Sequence, residues 1–458
     1  MKGRWKARVR MRAVRKADGR REGVVRRGAG GRARLLRTAL GAVLFAVTTL
    51  SAGACTGAED RTVTVLGPWT DGEEKPFVAA LKKIEKRTGV RYFYSGTRSL
   101  RDTLVAQLQA GAPPDVAILN SLGELTDYAT HGHAHPLPDD IADRAIEPWA
   151  PDVTVTVTGD RQLTRQAYWA PVRIDLKGIV WHDPDDRSEE PQQWCLGMSS
   201  GATSGWPGTD WIEDLLLRRQ GPDVYEQWAL GERSVPWTDK RVRQAWEDWR
   251  DLLPQEKERE KALTRSFEAD SGMLDSSDAE CRLEHQGSFI RRHYVDTYLP
   301  APTPRFVSGV GKKHTDTYEV SGDMAAVFKA SDEAWDLVRE LTGPEARTAW
   351  AASAESEGER PLFPGAMGVA PTPGSATAKV RDLLYGADRI CFDASDAMPP
   401  SLRDAFQRAV LKFLEAPGDD KALDALLAGL EREAELQRED GTFILDDLCG
   451  SPPPSPTS

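Results

Sequence analysis

The chain has 458 residues, enough to bury a large core in about two domains. Its 60 Lys and Arg stand against 71 Asp and Glu, and fifteen of the bases crowd into residues 1–54 beside only Asp18 and Glu22. The remainder therefore carries 45 bases against 69 acids, a net charge near −24 that argues against nucleic-acid binding, which calls for a basic face.

The basic run stops at Arg37, where an apolar stretch from Thr38 to Leu50 begins. It is shorter than the roughly 20 residues of a membrane-spanning helix. It ends in Ser51-Ala52-Gly53-Ala54-Cys55, the pattern of an export signal occupying residues 1–54. The small residues before the cysteine resemble a bacterial lipobox, and that resemblance implies a diacylated Cys55 holding the protein on the extracytoplasmic face of the cell membrane. Ordinary cleavage by signal peptidase is the alternative.

Beyond a short polar linker, Arg61 to Leu66 alternates β-branched residues and reads as a strand. Glu73 to Thr88 places Phe77, Leu81 and Ile84 on one helical face and closes at Gly89. Val90 to Tyr94, Leu100 to Ala110 and Pro114 to Leu119 continue the rhythm as strand, helix and strand. Such alternation demands a parallel sheet with helices on both faces, with ligands meeting the loops at the carboxyl ends of its strands. Trp69, Thr70, Asp71 and Glu74 follow the first strand, and Asn120 and Ser121 follow the third, so these loops are expected to share a crevice.

A second α/β block opens near Val172, with strands expected at Arg173 to Trp181 and at Trp194 to Met198. Thr238 to Leu252 and Ser331 to Ala352 read as Trp-rich helices with Trp246, Trp249, Trp335 and Trp350 spaced for one face, most of them in the core. The tail, residues 451–458, is Pro and Ser rich and is expected to be disordered. With Cys55 set aside, four cysteines remain, an even count that suggests disulfides in an exported chain. Of the three pairings, Cys195 with Cys281 and Cys391 with Cys449 keep each bond within one neighbourhood. A metal site has no close Cys-x-x-Cys spacing to support it.

Several segments, taken together and in this order, resemble the carbohydrate-binding proteins of ABC importers. They are Leu66-Gly-Pro-Trp-Thr-Asp-Gly-Glu-Glu74, Gly111-Ala-Pro-Pro-Asp-Val-Ala117, Ala170-Pro-Val-Arg-Ile-Asp-Leu-Lys-Gly178, Ser204-Gly-Trp-Pro-Gly-Thr-Asp-Trp211, His285-Gln-Gly-Ser-Phe289 and Gly322-Asp-Met-Ala-Ala326. The Trp206 segment is similar to an α-glucoside or oligosaccharide branch. The resemblance implies a two-lobed α/β clamp of the periplasmic-binding-protein type II fold, each lobe a sheet flanked by helices. Residues 55–171 and 319–360 would form one lobe, and residues 172–318 and 361–450 the other. The chain would cross between them near Pro171, Ser321 and Arg360. It further implies a monomer that closes on a carbohydrate and presents it to a membrane permease, without cofactor, metal or turnover.

A sugar offers hydroxyl edges and a weakly apolar ring face, so its site needs aromatic platforms and bidentate polar groups. Trp69 and Trp206 are the expected platforms; Asp71, Glu74, Asn120, Arg173, Asp210, Gln286 and Asp323 are the expected hydrogen-bonding groups. Each has a plainer reading: Trp69 as a cover for the sheet end, Asp210 as a helix N-cap, Arg173 as an ion-pair partner of Asp175. Gly197-Met-Ser-Ser-Gly201 fits a nucleophile elbow around Ser199, but no helix follows at once. His131, His133 and His135 alternate as metal ligands could, in a segment that reads as a loop. The rival functions are a secreted carbohydrate hydrolase and a binding module that feeds a sensor.

Overall fold

The computed structural model describes residues 61–156, 163–186, 193–268, 274, 281–294, 298–310, 313–356, 361–364 and 371–453. The leader, Cys55, the expected crossing at Arg360 and residues 454–458 lie outside them.

The first third follows the alternating rhythm. Strands β1 (Thr62–Gly67), β2 (Arg91–Gly96) and β3 (Val116–Leu119) are parallel, with β1 between the other two. Helix α1 (Lys75–Thr88) buries Phe77, Ala80, Leu81 and Ile84, and Gly89 ends it in the left-handed conformation. Helices α2 (Leu100–Gln109), α3 (Leu122–Thr130) and α4 (Asp139–Ala142) follow, then a two-stranded ribbon of β4 (Val153–Thr156) and β5 (Leu163–Gln166).

Strand β6 (Trp169–Leu176) leads through a tight turn into β7 (Ile179–His182). The single strand expected from Arg173 to Trp181 is thus two, broken where Gly178 takes a φ of 63° and packs against Asp214. Helices α5 (Trp206–Gln220), α6 (Pro222–Ala229), α7 (Lys240–Leu252) and α8 (Glu256–Ala262) come next. Strands β8 (Leu283–His285) and β9 (Leu299–Pro302), separated by α9 (Arg291–Tyr294), flank β7 in an antiparallel sheet. The strand expected at Trp194 to Met198 does not form. Trp194 makes one bridge to Leu283, and Gly197 is pressed against the Ser266 backbone, which leaves the segment no ladder partner.

The eleven-residue β10 (Thr317–Val327) then runs back through the molecule. The helix expected from Ser331 to Ala352 divides into α10 (Asp332–Leu341) and α11 (Pro344–Ser356), because Pro344 cannot continue the preceding turn. The chain ends with α12 (Ala376–Tyr385), β11 (Arg389–Phe392), α13 (Ala394–Ala397), α14 (Pro400–Glu415), α15 (Asp420–Glu439) and β12 (Cys449–Gly450).

The large sheet runs β12-β11-β10-β3-β1-β2, with β6 also paired to β10. The first part of β10 lies parallel to β11, its last four residues lie antiparallel to β3, and β6 accompanies both parts. The register of the β6·β10 pair slips between Asp323 and Met324, opposite Arg173. Residues of this pair alternate between two bodies of core, Ala325 and Val327 in one and Met324 and Ala326 in the other. One gathers Val63, Phe77, Leu81, Ile118, Val172, Leu337 and Trp350; the other gathers Trp181, Trp211, Trp228, Trp246, Trp249, Phe406 and Phe413. Cys195 is bonded to Cys281 and Cys391 to Cys449, closing loops of 86 and 58 residues. Constraining the unfolded chain at those lengths is worth about 4 kcal/mol per bond in the chain-entropy account.

Candidate functional site

The site grows from the junction outward. Opposite the register slip, the Arg173 guanidinium donates to Asp323 at 2.6 Å and stands 3.8 Å from Asp175. Burial works against its charge, but these carboxylates hold it protonated well above the ordinary range. Burial pushes the Asp323 carboxyl up to about 6 in spite of Arg173. On one side Arg173 lies 5.2 Å from the Trp69 ring. On the other, Asp175 accepts a 2.7 Å hydrogen bond from Ser288, whose oxygen also accepts from the Leu176 N–H.

Ser288 adjoins Phe289, and Phe289 belongs to an aromatic cluster. Trp206 meets Phe267 at 4.8 Å and Phe289 at 5.8 Å between ring centroids. Trp206 opens α5 behind Gly205, whose φ of 105° and contact with the Gln407 carbonyl exclude any side chain there. All three rings remain partly exposed.

Four charged residues from four chain segments meet beside this cluster. Arg292, in α9, is paired with both Glu73, after β1, and Glu268, after α8. Arg98, after β2, reaches Glu73 at 3.5 Å and Glu268 at 3.9 Å. Carboxylates and guanidiniums beside an aromatic surface, drawn from the 73–98 and 206–292 parts of the chain, are what a polar, ring-bearing ligand requires.

The expected site residues divide. Trp206, Arg173 and Asp323 join this arrangement, with Arg173 pairing more closely to Asp323 than to Asp175. Asp71 and Asn120 are exposed at the carboxyl ends of β1 and β3; Asp71 accepts from the Thr70 hydroxyl. Glu74 turns back to accept the Gly72 N–H. Trp69 is packed into the core rather than presented, only 2% exposed among Phe77, Tyr94 and Trp350. Ser121 caps α3 and donates to the Asp396 carbonyl. Gln286 is buried, its side-chain oxygen accepting the Gly287 N–H. Asp210 is no N-cap, since α5 already starts at Trp206; it is buried a turn further on, paired with Lys177 at 2.8 Å.

Sequence reading missed Glu73, Arg98, Phe267, Glu268, Phe289, Arg292 and Lys177. Phe289 and Glu73 each adjoin a motif that was noticed. Phe267 and Glu268 follow a helix end with no periodic signal. Asp210, Glu213 and Asp393 bring three buried carboxylates within metal-ligand spacing of one another, but the Lys177 ammonium already sits between Asp210 and Asp393. Ser199 pairs with the Ser266 backbone, and only a three-residue 3-10 turn, Gly201–Thr203, comes before α5 at Trp206. His131 and His133 stack at 6.4 Å, while the His135 backbone bridges to Val327.

The family model of the bacterial extracellular solute-binding proteins matches residues 67–271. The alpha-glucosides-binding periplasmic protein AglE of Rhizobium meliloti is 27% identical over 409 residues, covering 80% of this chain and 88% of that one. The osmoprotective compounds-binding protein GgtB of Synechocystis is 27% identical over 405 residues, covering 78% and 89%. Among solved structures, the solute receptor AcbH, described as preferring galactopyranose, superposes with a TM-score of 0.63 at 16% identity, over 82% of this chain and 99% of that one. The binding protein RafE in complex with raffinose gives 0.56 at 12% identity, over 81% and 99%. At such identities these structures bear on the fold alone, the α/β architecture of two-lobed solute-binding proteins.

Arg173 provides the test of the junction. Arg173→Met leaves Asp323 and Asp175 buried without their cation and should cost about 3–5 kcal/mol in urea unfolding. Adding Asp323→Asn should recover part of that loss; equal stability of Arg173→Met and the unaltered protein would refute the pairing.

Proposed function

We propose that this chain, whose residues 67–271 match the family model of the bacterial extracellular solute-binding proteins, captures a small carbohydrate between two lobes and delivers it to an ABC importer's permease. The observation that carries this reading is the juxtaposition of Trp206, Phe267 and Phe289 with Glu268, Arg292, Glu73 and Arg98. The rings supply a stacking surface for a pyranose face. The ionic groups, paired with one another across the mouth, exchange those partners for sugar hydroxyls as the ligand enters. An α-glucoside fits the reading best, since the relatives that align along most of the chain include an alpha-glucosides-binding protein. The two lobes of this reading are those bounded by the crossings near Pro171 and Ser321, where β6 and β10 run side by side.

The protein works by binding without turnover, as a monomer. A glycosidase would need a pair of accessible carboxyls flanking the ligand. Burial raises the Glu213 and Glu319 carboxyls, but both are sealed from solvent, and the partly exposed Glu73 and Glu268 are each held by Arg98 and Arg292.

Calorimetric titration with maltose and trehalose tests this function. One-to-one binding with the sugar recovered intact is expected, and Trp206→Ala should weaken it by about tenfold or more, the worth of an aromatic contact plus its buried area. Liberated glucose, or binding indifferent to Trp206, would contradict it. The small residues before Cys55 support a lipid anchor there. Cys55→Ser should then move the protein from the membrane fraction to the soluble one; unchanged membrane association would overturn the anchor.

A further inference from the structure

Lys177 stands in the turn between β6 and β7, and its side chain is only 5% exposed. Its ammonium is the meeting point of three elements. It lies 5.4 Å from the centroid of the Trp206 ring, 2.8 Å from an oxygen of Asp210, and in contact with Asp393. Trp206 and Asp210 are one turn apart on α5, so both project from the same face of that helix. Asp393 is itself fixed at the start of α13, where it accepts from Ser395 at 2.9 Å and from the Asp396 N–H at 2.8 Å. Lys177 thereby ties the indole of Trp206 to the carboxyl end of β11 and to the strand that crosses the junction.

The chemistry explains why the cation stays. Burial disfavours the ammonium, but Asp210 and Asp393 together hold it charged well above the ordinary lysine range. Burial likewise pushes Asp210 up to about 7, whereas Lys177 keeps Asp393 below the usual carboxylate range against the same penalty. An ammonium desolvated in this way and set against an indole attracts the ring more strongly than one in water. Phe267 and Phe289 bound the ring on other sides.

We propose that Lys177 is a positioning residue for the ligand platform: it fixes the orientation of the Trp206 ring and through it the affinity for the stacked ligand. The part that concerns affinity rests on the carbohydrate reading; the part that concerns the ring does not.

The two parts are tested on one set of variants of the full exported chain: Lys177→Met, Trp206→Phe, and the double variant. First, acrylamide quenching of Trp206 is isolated as the difference between proteins with and without Trp206→Phe. Removing the ammonium should make this residue more accessible to the quencher; an unchanged difference overturns the proposal whether or not any sugar binds. Second, Lys177→Met should weaken maltose by about tenfold, the scale of a desolvated cation–π contact. In the Trp206→Phe background the same change should cost much less, because the ring it orients is gone. Fully additive losses would mean that Lys177 acts on the fold in general, and would overturn the proposal. If Lys177→Met does not fold, Lys177→Met with Asp393→Asn, which removes the uncompensated carboxylate, takes its place with the same outcomes. If neither maltose nor trehalose binds the unaltered protein, the carbohydrate reading fails while the quenching measurement still decides the role of Lys177.

Discussion

The antiparallel pair of β6 and β10 is the constraint on which the rest of the structure depends. The two strands carry residues of both cores, and β10 changes neighbours along its length, from β11 to β3. A strand pair transmits a bend but resists slippage, because a one-residue slip would turn every buried side chain to the wrong face. The local irregularity falls between Asp323 and Met324, where the ladder is weakest and Arg173 faces Asp323. In the proposed closing motion, bending there reorients the loops after β1 and β2 against α9 and the start of α5. The groups proposed to meet the ligand sit on those elements.

Charge is distributed to match. Arg98, Glu73, Glu268 and Arg292 cross the mouth with side chains between 12% and 49% exposed, so water screens them and exchanging their partners for ligand hydroxyls costs little. Lys177, Asp210, Glu213 and Asp393 are sealed behind the aromatic cluster, where breaking a pair would leave an ion stranded in low dielectric. The first set is built to change partners and the second to keep them. A platform that must present one ring in one orientation through many rounds of opening gains from standing on the second set.

Much of the fold was legible in the sequence. The β1-α1-β2-α2-β3 rhythm is local: β-branched alternation, a 3.6-residue apolar stripe and terminal glycines each declare themselves within a dozen residues. The stretch from Arg173 to Trp181 was legible as strand but its break at Gly178 was not, because a glycine within an apolar run is also compatible with a bulge, and β10 was legible only as the Gly322 to Ala326 motif. Trp69 illustrates the limit for the site. A tryptophan after a strand end can face either the crevice or the core, and only Phe77, Tyr94 and Trp350, the last nearly three hundred residues away, settle that it faces the core. Glu73 and Arg292 acquire meaning only by meeting each other. No spacing in one chain announces an ion pair made by segments more than two hundred residues apart.

The proposed capture of a ligand requires two halves to move about β6 and β10. Spin labels at Lys82→Cys in α1 and Arg408→Cys in α14, both exposed positions on opposite sides of that junction, report the motion directly through pulsed electron–electron distance measurement. Saturating maltose or trehalose should shift and narrow the distance distribution. A distribution unchanged by a sugar that calorimetry shows to be bound would contradict this motion, since the molecule would then be receiving its ligand as a single rigid body.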